Sequence, residues 1–71
     1  MSLAEKIRLV LVKRGNMSEA ELARKLNVSP QNLYNKMKRD NFSESDLRQI
    51  AEALDCELSV TFTLKDTGER F

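Results

Sequence analysis

SEAELARKLNVSPQNLYNKMKR, residues 18–39, carries the signals for two short helices joined by a tight turn. Ser18, with a glutamate three residues later, forms the Ser-x-x-Glu pattern of a capping box, which satisfies unpaired amides at a helix start. Asn27 tolerates the left-handed conformation that ends a helix. Ser29 and Pro30 then supply an N-cap and a proline at the first helical position. The stretch predicts a second helix that begins three residues after the first one ends.

Apolar residues of this stretch have the spacing of a helix-turn-helix motif. Two helices that cross steeply and close to a short turn need a small residue at their contact, and Ala23 supplies it. The inward-facing positions are Leu22, Ala23, Leu26, Val28 and Leu33.

The segment ELARKLNVSPQNLYNKMKRDN resembles the helix-turn-helix of the phage-repressor (Cro/C1, XRE) family, and the resemblance covers roughly residues 4–55. It implies a mainly α, lambda-repressor-like domain of four to five helices. Three positions depart from the family pattern. Asn27 stands where glycine is usual, Lys36 stands where an apolar residue is usual, and Glu19 replaces a glutamine that can bind DNA phosphate. A glutamate at that position would repel phosphate.

The resemblance places the second helix of the motif in the major groove of DNA. Its candidate base-contacting residues are Ser29, Gln31, Asn32, Tyr34 and Asn35. Gln31 and Asn35 lie four residues apart on one face, and amide side chains can pair with the N6 and N7 edge of adenine. Asn32 can support them or face sideways toward the helix crossing. Tyr34 can contact phosphate or a thymine methyl, or it can pack along Lys38 as a surface residue.

Basic side chains follow at the end of the same helix. Lys36, Lys38 and Arg39 are candidate phosphate contacts, which position a protein on DNA without reading its sequence. Solvation explains each lysine taken singly, but the cluster together with the motif favours phosphate binding.

Two further helices flank the motif. Ser2 and Glu5 form another capping box, and a helix of about three turns ends at Gly15, with Ile7, Val10 and Leu11 in the core. A fourth helix begins at Ser43, which pairs with Asp46 as a variant capping box. Its apolar positions are Leu47, Ile50, Ala51 and Leu54.

The hydrophobic period changes to two from Glu57 onward, which indicates a half-buried strand over residues 57–64. Residues 65–68 are a turn signal, and residues 69–71 can return as a short second strand. We therefore expect a C-terminal β-hairpin over residues 57–71. Its apolar face can form a homodimer with a second chain, or it can pack on the first and fourth helices of its own chain. The expected dimer residues are Leu58, Val60, Phe62 and Leu64.

Composition limits the classes of function. The 71 residues form one small domain, and the net charge of +1 hides an uneven distribution, because residues 1–40 hold nine basic and four acidic side chains. Histidine is absent and Cys56 is the single cysteine, so no metal site, cofactor or disulfide is expected. No stretch is apolar enough for a membrane span, and no signal peptide is present, which favours a cytoplasmic protein.

These features predict a DNA-binding transcriptional regulator of a bacterium or mobile element, with double-stranded DNA as its partner and no enzymatic activity. The alternative is an antitoxin-like or other protein-binding module with the same fold, which Glu19 and the near-neutral charge favour. A third possibility is a fragment of a larger regulator.

Overall fold

A computed structural model describes all 71 residues and shows a mainly helical domain. Its four helices are α1 (Leu3–Lys13), α2 (Glu19–Leu26), α3 (Pro30–Arg39) and α4 (Glu44–Ala53). The predicted helical architecture is therefore confirmed. None of the four is both long enough and apolar enough to span a membrane.

Each helix begins at a serine whose side chain accepts a hydrogen bond from the amide three residues later. The distances from these amides to Ser2, Ser18, Ser29 and Ser43 are 3.0–3.1 Å. Only Ser43 and Asp46 form a reciprocal capping box. The reciprocal boxes expected at Ser2 and Ser18 are wrong, because the glutamates three residues later stay exposed with no hydrogen-bond partner for their carboxylates, whereas Asp46 is held in place by Lys36.

The core lies where the four helices meet, and α2 contacts both α3 and α4. Leu22 and Ala23 of α2 are completely buried, at 0% exposure. Val10, expected in the core, is only half-buried at its edge. The buried residues are Ala4, Ile7, Leu11, Leu22, Ala23, Leu33, Met37, Ile50 and Leu54.

Polar contacts tie α1 to the ends of the later helices. The Ala4 amide donates to Asp40 Oδ1 at 2.8 Å, so the residue after α3 satisfies one of the free amides at the start of α1. At the other end of α1, Arg14 donates to the carbonyl oxygens of Leu54 and Asp55 at 2.8 and 2.9 Å. These carbonyls follow α4, where free acceptors are expected at a helix terminus.

A salt bridge joins α3 to α4. Lys36 Nζ lies 2.8 Å from Asp46 Oδ2, and the same oxygen accepts the Ser43 amide at 2.9 Å. The hydrogen bond from Lys36 is the main reason why the pKa of Asp46 lies below its ordinary value, and the Ser43 amide adds to the effect. The lysine at a usually apolar position is thus accommodated at the rim of the core, beside the buried Met37.

The expected C-terminal β-hairpin over residues 57–71 is wrong, because no strand forms there. The chain does reverse, but its pairing is limited to one isolated bridge between Thr63 and Arg70. On one side of this bridge, Phe62 and Phe71 exchange two backbone hydrogen bonds of 2.9 Å. Residues 69–71 are too few to pair with the eight residues 57–64, so the backbone of residues 57–61 makes no hydrogen bond within the chain.

Side chains of this segment divide into two groups. Leu58 is half-buried and borders an apolar groove between α1 and α4, as the cis arrangement predicted for this residue. Val60, Phe62, Leu64 and Phe71 remain 42–74% exposed. We refer to these four residues as the C-terminal apolar face.

Ala23→Leu should lower the free energy of unfolding by about 1–3 kcal/mol, because three extra carbon atoms must fit at a fully buried position of α2, the helix that contacts both α3 and α4. Each kcal/mol corresponds to roughly 4–8 °C in the melting temperature of a domain of this size. The matched control is Ala20→Leu on the exposed side of α2. An unchanged melting temperature for Ala23→Leu would show that the contact has room to spare.

Asp46 should stabilise the fold in a pH-dependent manner. Its folded-state pKa is lowered, so its contribution is fully present above the unfolded-state pKa and is lost as the pH falls through the folded-state value. Denaturation measured from about pH 6 to about pH 2.5 should show a weaker acid dependence for Asp46→Asn than for the native chain. Glu44→Gln, at an exposed ion pair of the same helix, is the control and should retain the native dependence. Parallel curves for the native chain and Asp46→Asn would contradict this prediction.

Candidate nucleic-acid interface

The turn between α2 and α3 fixes the angle of the two helices. Asn27 is left-handed, with φ 59° and ψ 41°. Its amide donates to the Arg24 carbonyl at 3.1 Å, and the Val28 amide donates to the Ala23 carbonyl at 3.0 Å. Ser29 then caps α3 through the Asn32 amide at 3.1 Å. Every step of the predicted turn is present, although Val28 is more exposed than expected for an inward-facing residue.

Helix α3 has one buried and one exposed side. Leu33 and Met37 are buried against α2 and the core. Seven of the eight predicted DNA-contacting residues are exposed, and the half-buried Lys36 is the exception; the seven are Ser29, Gln31, Asn32, Tyr34, Asn35, Lys38 and Arg39. We call the surface formed by Gln31, Tyr34, Asn35 and Lys38 the exposed face of α3. These four side chains are exposed, so this surface is available to contact a partner.

Two amides on the exposed face of α3 are paired with each other. Gln31 Nε2 donates to Asn35 Oδ1 at 3.1 Å, which is the i, i+4 contact expected for neighbouring helical turns. This bond leaves the side-chain oxygen of Gln31 (Oε1) and the side-chain nitrogen of Asn35 (Nδ2) without a partner in the chain. The pair therefore offers one acceptor and one donor group side by side, which is the chemistry needed at a base edge.

Asn32 lies at the side of α3 that borders α4. It lines a small cavity of about 90 Å³, together with Leu26, Val28, Leu33, Lys36, Asp46, Gln49 and Ile50. Asn32 is nevertheless exposed, and a base contact by its side chain stays a prediction.

The three predicted phosphate-binding side chains have different surroundings. Lys36 is engaged by Asp46, as described above. Lys38 and Arg39 are exposed and form no salt bridge with any carboxylate of the chain. Of the three cations, only these two have no carboxylate partner in the chain.

A further ion pair lies at the start of α2 and was not predicted. Arg8 Nε of α1 donates to Glu19 Oε2 at 3.4 Å. No local sequence pattern predicts this contact, because the two residues belong to different helices and are separated by a loop. Glu19, the residue expected to repel phosphate, thus has a cation beside it.

The chemistry available at this surface is hydrogen bonding and charge neutralisation. No group of three or more histidine, cysteine, aspartate or glutamate side chains is gathered anywhere in the chain in a way that could hold a metal ion. Cys56 is half-buried and unpaired, in contact with the edge of the core.

Comparison with known proteins agrees with this architecture. The family model of the bacteriophage CI repressor helix-turn-helix domain matches residues 8–67. No curated protein and no solved structure matches the chain. The matched range contains α2, the left-handed turn and α3, together with most of the remaining fold. This confirms the resemblance to phage repressors, and the chain belongs to the bacteriophage CI repressor helix-turn-helix domain family.

Proposed function

We propose that this protein is a sequence-specific DNA-binding transcriptional regulator that inserts α3 into the major groove of double-stranded DNA. The observation that carries the proposal is the exposed face of α3, where paired amides and a free lysine follow the helix-turn-helix turn. In this motif the second helix contacts base edges with its N-terminal residues, while the first helix crosses the DNA backbone. The family match over residues 8–67 supports the same function.

The N-terminal half of α3 is proposed to recognise the base sequence of the DNA. Gln31 and Asn35 are proposed to contact base edges, with adenine as the preferred partner of an amide. Ser29 and Tyr34 flank this pair and are exposed. Asn32 is proposed to act from the side, through its position next to α4.

General affinity is assigned to the cations at the end of α3. Lys38 and Arg39 can bind phosphate directly, since neither has a carboxylate partner. The charge of Lys36 is already partly neutralised by Asp46, so its contribution is proposed to be smaller. A regulator of this kind acts where the chromosome or phage DNA is, and we propose a cytoplasmic location.

We also propose that the protein acts as a homodimer through its C-terminal segment. The exposed C-terminal apolar face and the unpaired backbone of residues 57–61 support a contact with the same segment of a second copy. The proposed interface contains Val60, Phe62 and Leu64, with Leu58 at its edge because that residue already packs on its own helices. Two α3 helices related by a two-fold axis would read a palindromic site.

A second candidate function uses the same segment differently. Unpaired backbone groups next to exposed apolar side chains can add a strand to another protein, as in an antitoxin-like binding module. This candidate requires no contact between α3 and DNA. Binding to duplex DNA therefore separates the two functions.

Gln31→Ala should alter the choice of DNA sequence, with a loss on the order of 1–3 kcal/mol in discrimination at one base pair. Lys38→Ala should instead weaken binding to all sequences alike and reduce its salt dependence. Selection from a random-site duplex pool measures both effects. Gln49→Ala on α4 is the matched control, since that glutamine also contacts a side chain four residues away but lies outside α3. An unchanged preferred site for Gln31→Ala would show that α3 is placed incorrectly.

Val60→Asp combined with Phe62→Asp should shift the protein from dimer to monomer, because two charges would enter the apolar contact. Sedimentation equilibrium at concentrations on the order of tens of micromolar measures the change. The control is Thr61→Asp combined with Thr63→Asp, which adds the same charge to the alternate side of the same segment. An intact protein that sediments as a monomer would refute the dimer.

A further inference from the structure

We infer that Arg8 is a DNA phosphate contact and that Glu19 is the positioning residue that holds it in place. This inference rests on the proposed function, because it needs α2 to cross a DNA backbone. The carboxylate of Glu19 alone would weaken DNA binding, whereas beside Arg8 it orients a cation. The two side chains lie 3.4 Å apart, with Arg8 51% and Glu19 38% exposed.

Arg8 keeps most of its hydrogen-bonding capacity for a ligand. A guanidinium has five N–H donors in a planar fork. Only the Nε donor of Arg8 has a partner in the chain, and that partner is Glu19. Both terminal nitrogens, with four N–H groups between them, therefore remain available, and this end of the fork matches two phosphate oxygens.

The Arg8–Glu19 pair lies at the start of α2. Glu19 is the first residue of α2, the helix that crosses the DNA backbone in this motif. Arg8 borders an open depression of about 280 Å³ between α1 and the start of α2, whose lining also includes Asn16 and Ser18. No carboxylate other than that of Glu19 lines this depression. A phosphate that approaches through this depression meets no second carboxylate in its lining.

A second exposed arginine–glutamate pair lies on α4. Arg48 and Glu44 lie 3.1 Å apart on α4, with exposures of 59% and 61%. Arg48 borders a depression that also contains Glu52 and Asp55, so its surroundings are acidic. Phosphate is disfavoured there, whereas the depression beside Arg8 is lined by a single carboxylate. The second pair therefore serves as a matched control.

The test is the affinity for a mixed-sequence DNA duplex as a function of salt concentration. Arg8→Gln should weaken binding and reduce the slope of log affinity against log salt by about one, as expected for one lost phosphate contact. Arg8→Lys should keep the native slope because it keeps the charge. Arg48→Gln should leave affinity and slope unchanged. Circular dichroism of each variant confirms that the helices are intact.

Glu19→Gln in two backgrounds tests the positioning role. In the native background it should weaken binding, because Arg8 loses its restraint. In the Arg8→Gln background it should strengthen binding, because a carboxylate with no cation beside it repels phosphate. The same direction of change, or no change, in both backgrounds would overturn the positioning role.

The remaining outcomes are also decisive. A native slope for Arg8→Gln, or a slope for Arg8→Lys as low as that of Arg8→Gln, would overturn the phosphate contact. A native protein that binds no duplex at low salt would refute the proposed function itself, which is a different result from native binding with no effect at Arg8.

Discussion

The packing of α2 against α3 and α4 is the constraint on which the rest of the structure depends. Ala23 of α2 is completely buried, and its carbonyl accepts the amide of Val28 from the turn. The left-handed Asn27 makes that short return possible. Together these features fix the direction of α3, so that Leu33 and Met37 enter the core and the amide side chains remain outside.

Local signals in the sequence account for the parts of the fold that could be predicted. The serine N-caps, the proline at the start of α3 and the 3.6-residue hydrophobic period all act within a few residues, and all four helices follow from them. The exposed face of α3 follows from the same periodicity once the motif is identified. Contacts between residues far apart in the sequence could not be predicted from these local signals. Lys36 with Asp46 and Arg8 with Glu19 depend on how helices are placed in space.

In the C-terminal segment, residues 57–71, hydrophobic periodicity was not enough to predict the structure. Alternating apolar residues in 57–64 favour a strand, but a strand also needs a partner with enough backbone to form a ladder. Residues 69–71 provide a single bridge. Periodicity describes the side chains of a segment and carries no information on the number of hydrogen bonds that its backbone can make.

Arg14 has a consequence for the geometry of an assembly. By binding the carbonyls of Leu54 and Asp55, it joins the end of α1 to the point where the chain leaves α4, and so it sets the direction in which residues 57–71 depart from the helices. In a dimer held through that segment, this direction determines the separation and relative rotation of the two α3 helices. Arg14 would then govern the spacing between the two halves of a palindromic operator without touching a nucleotide.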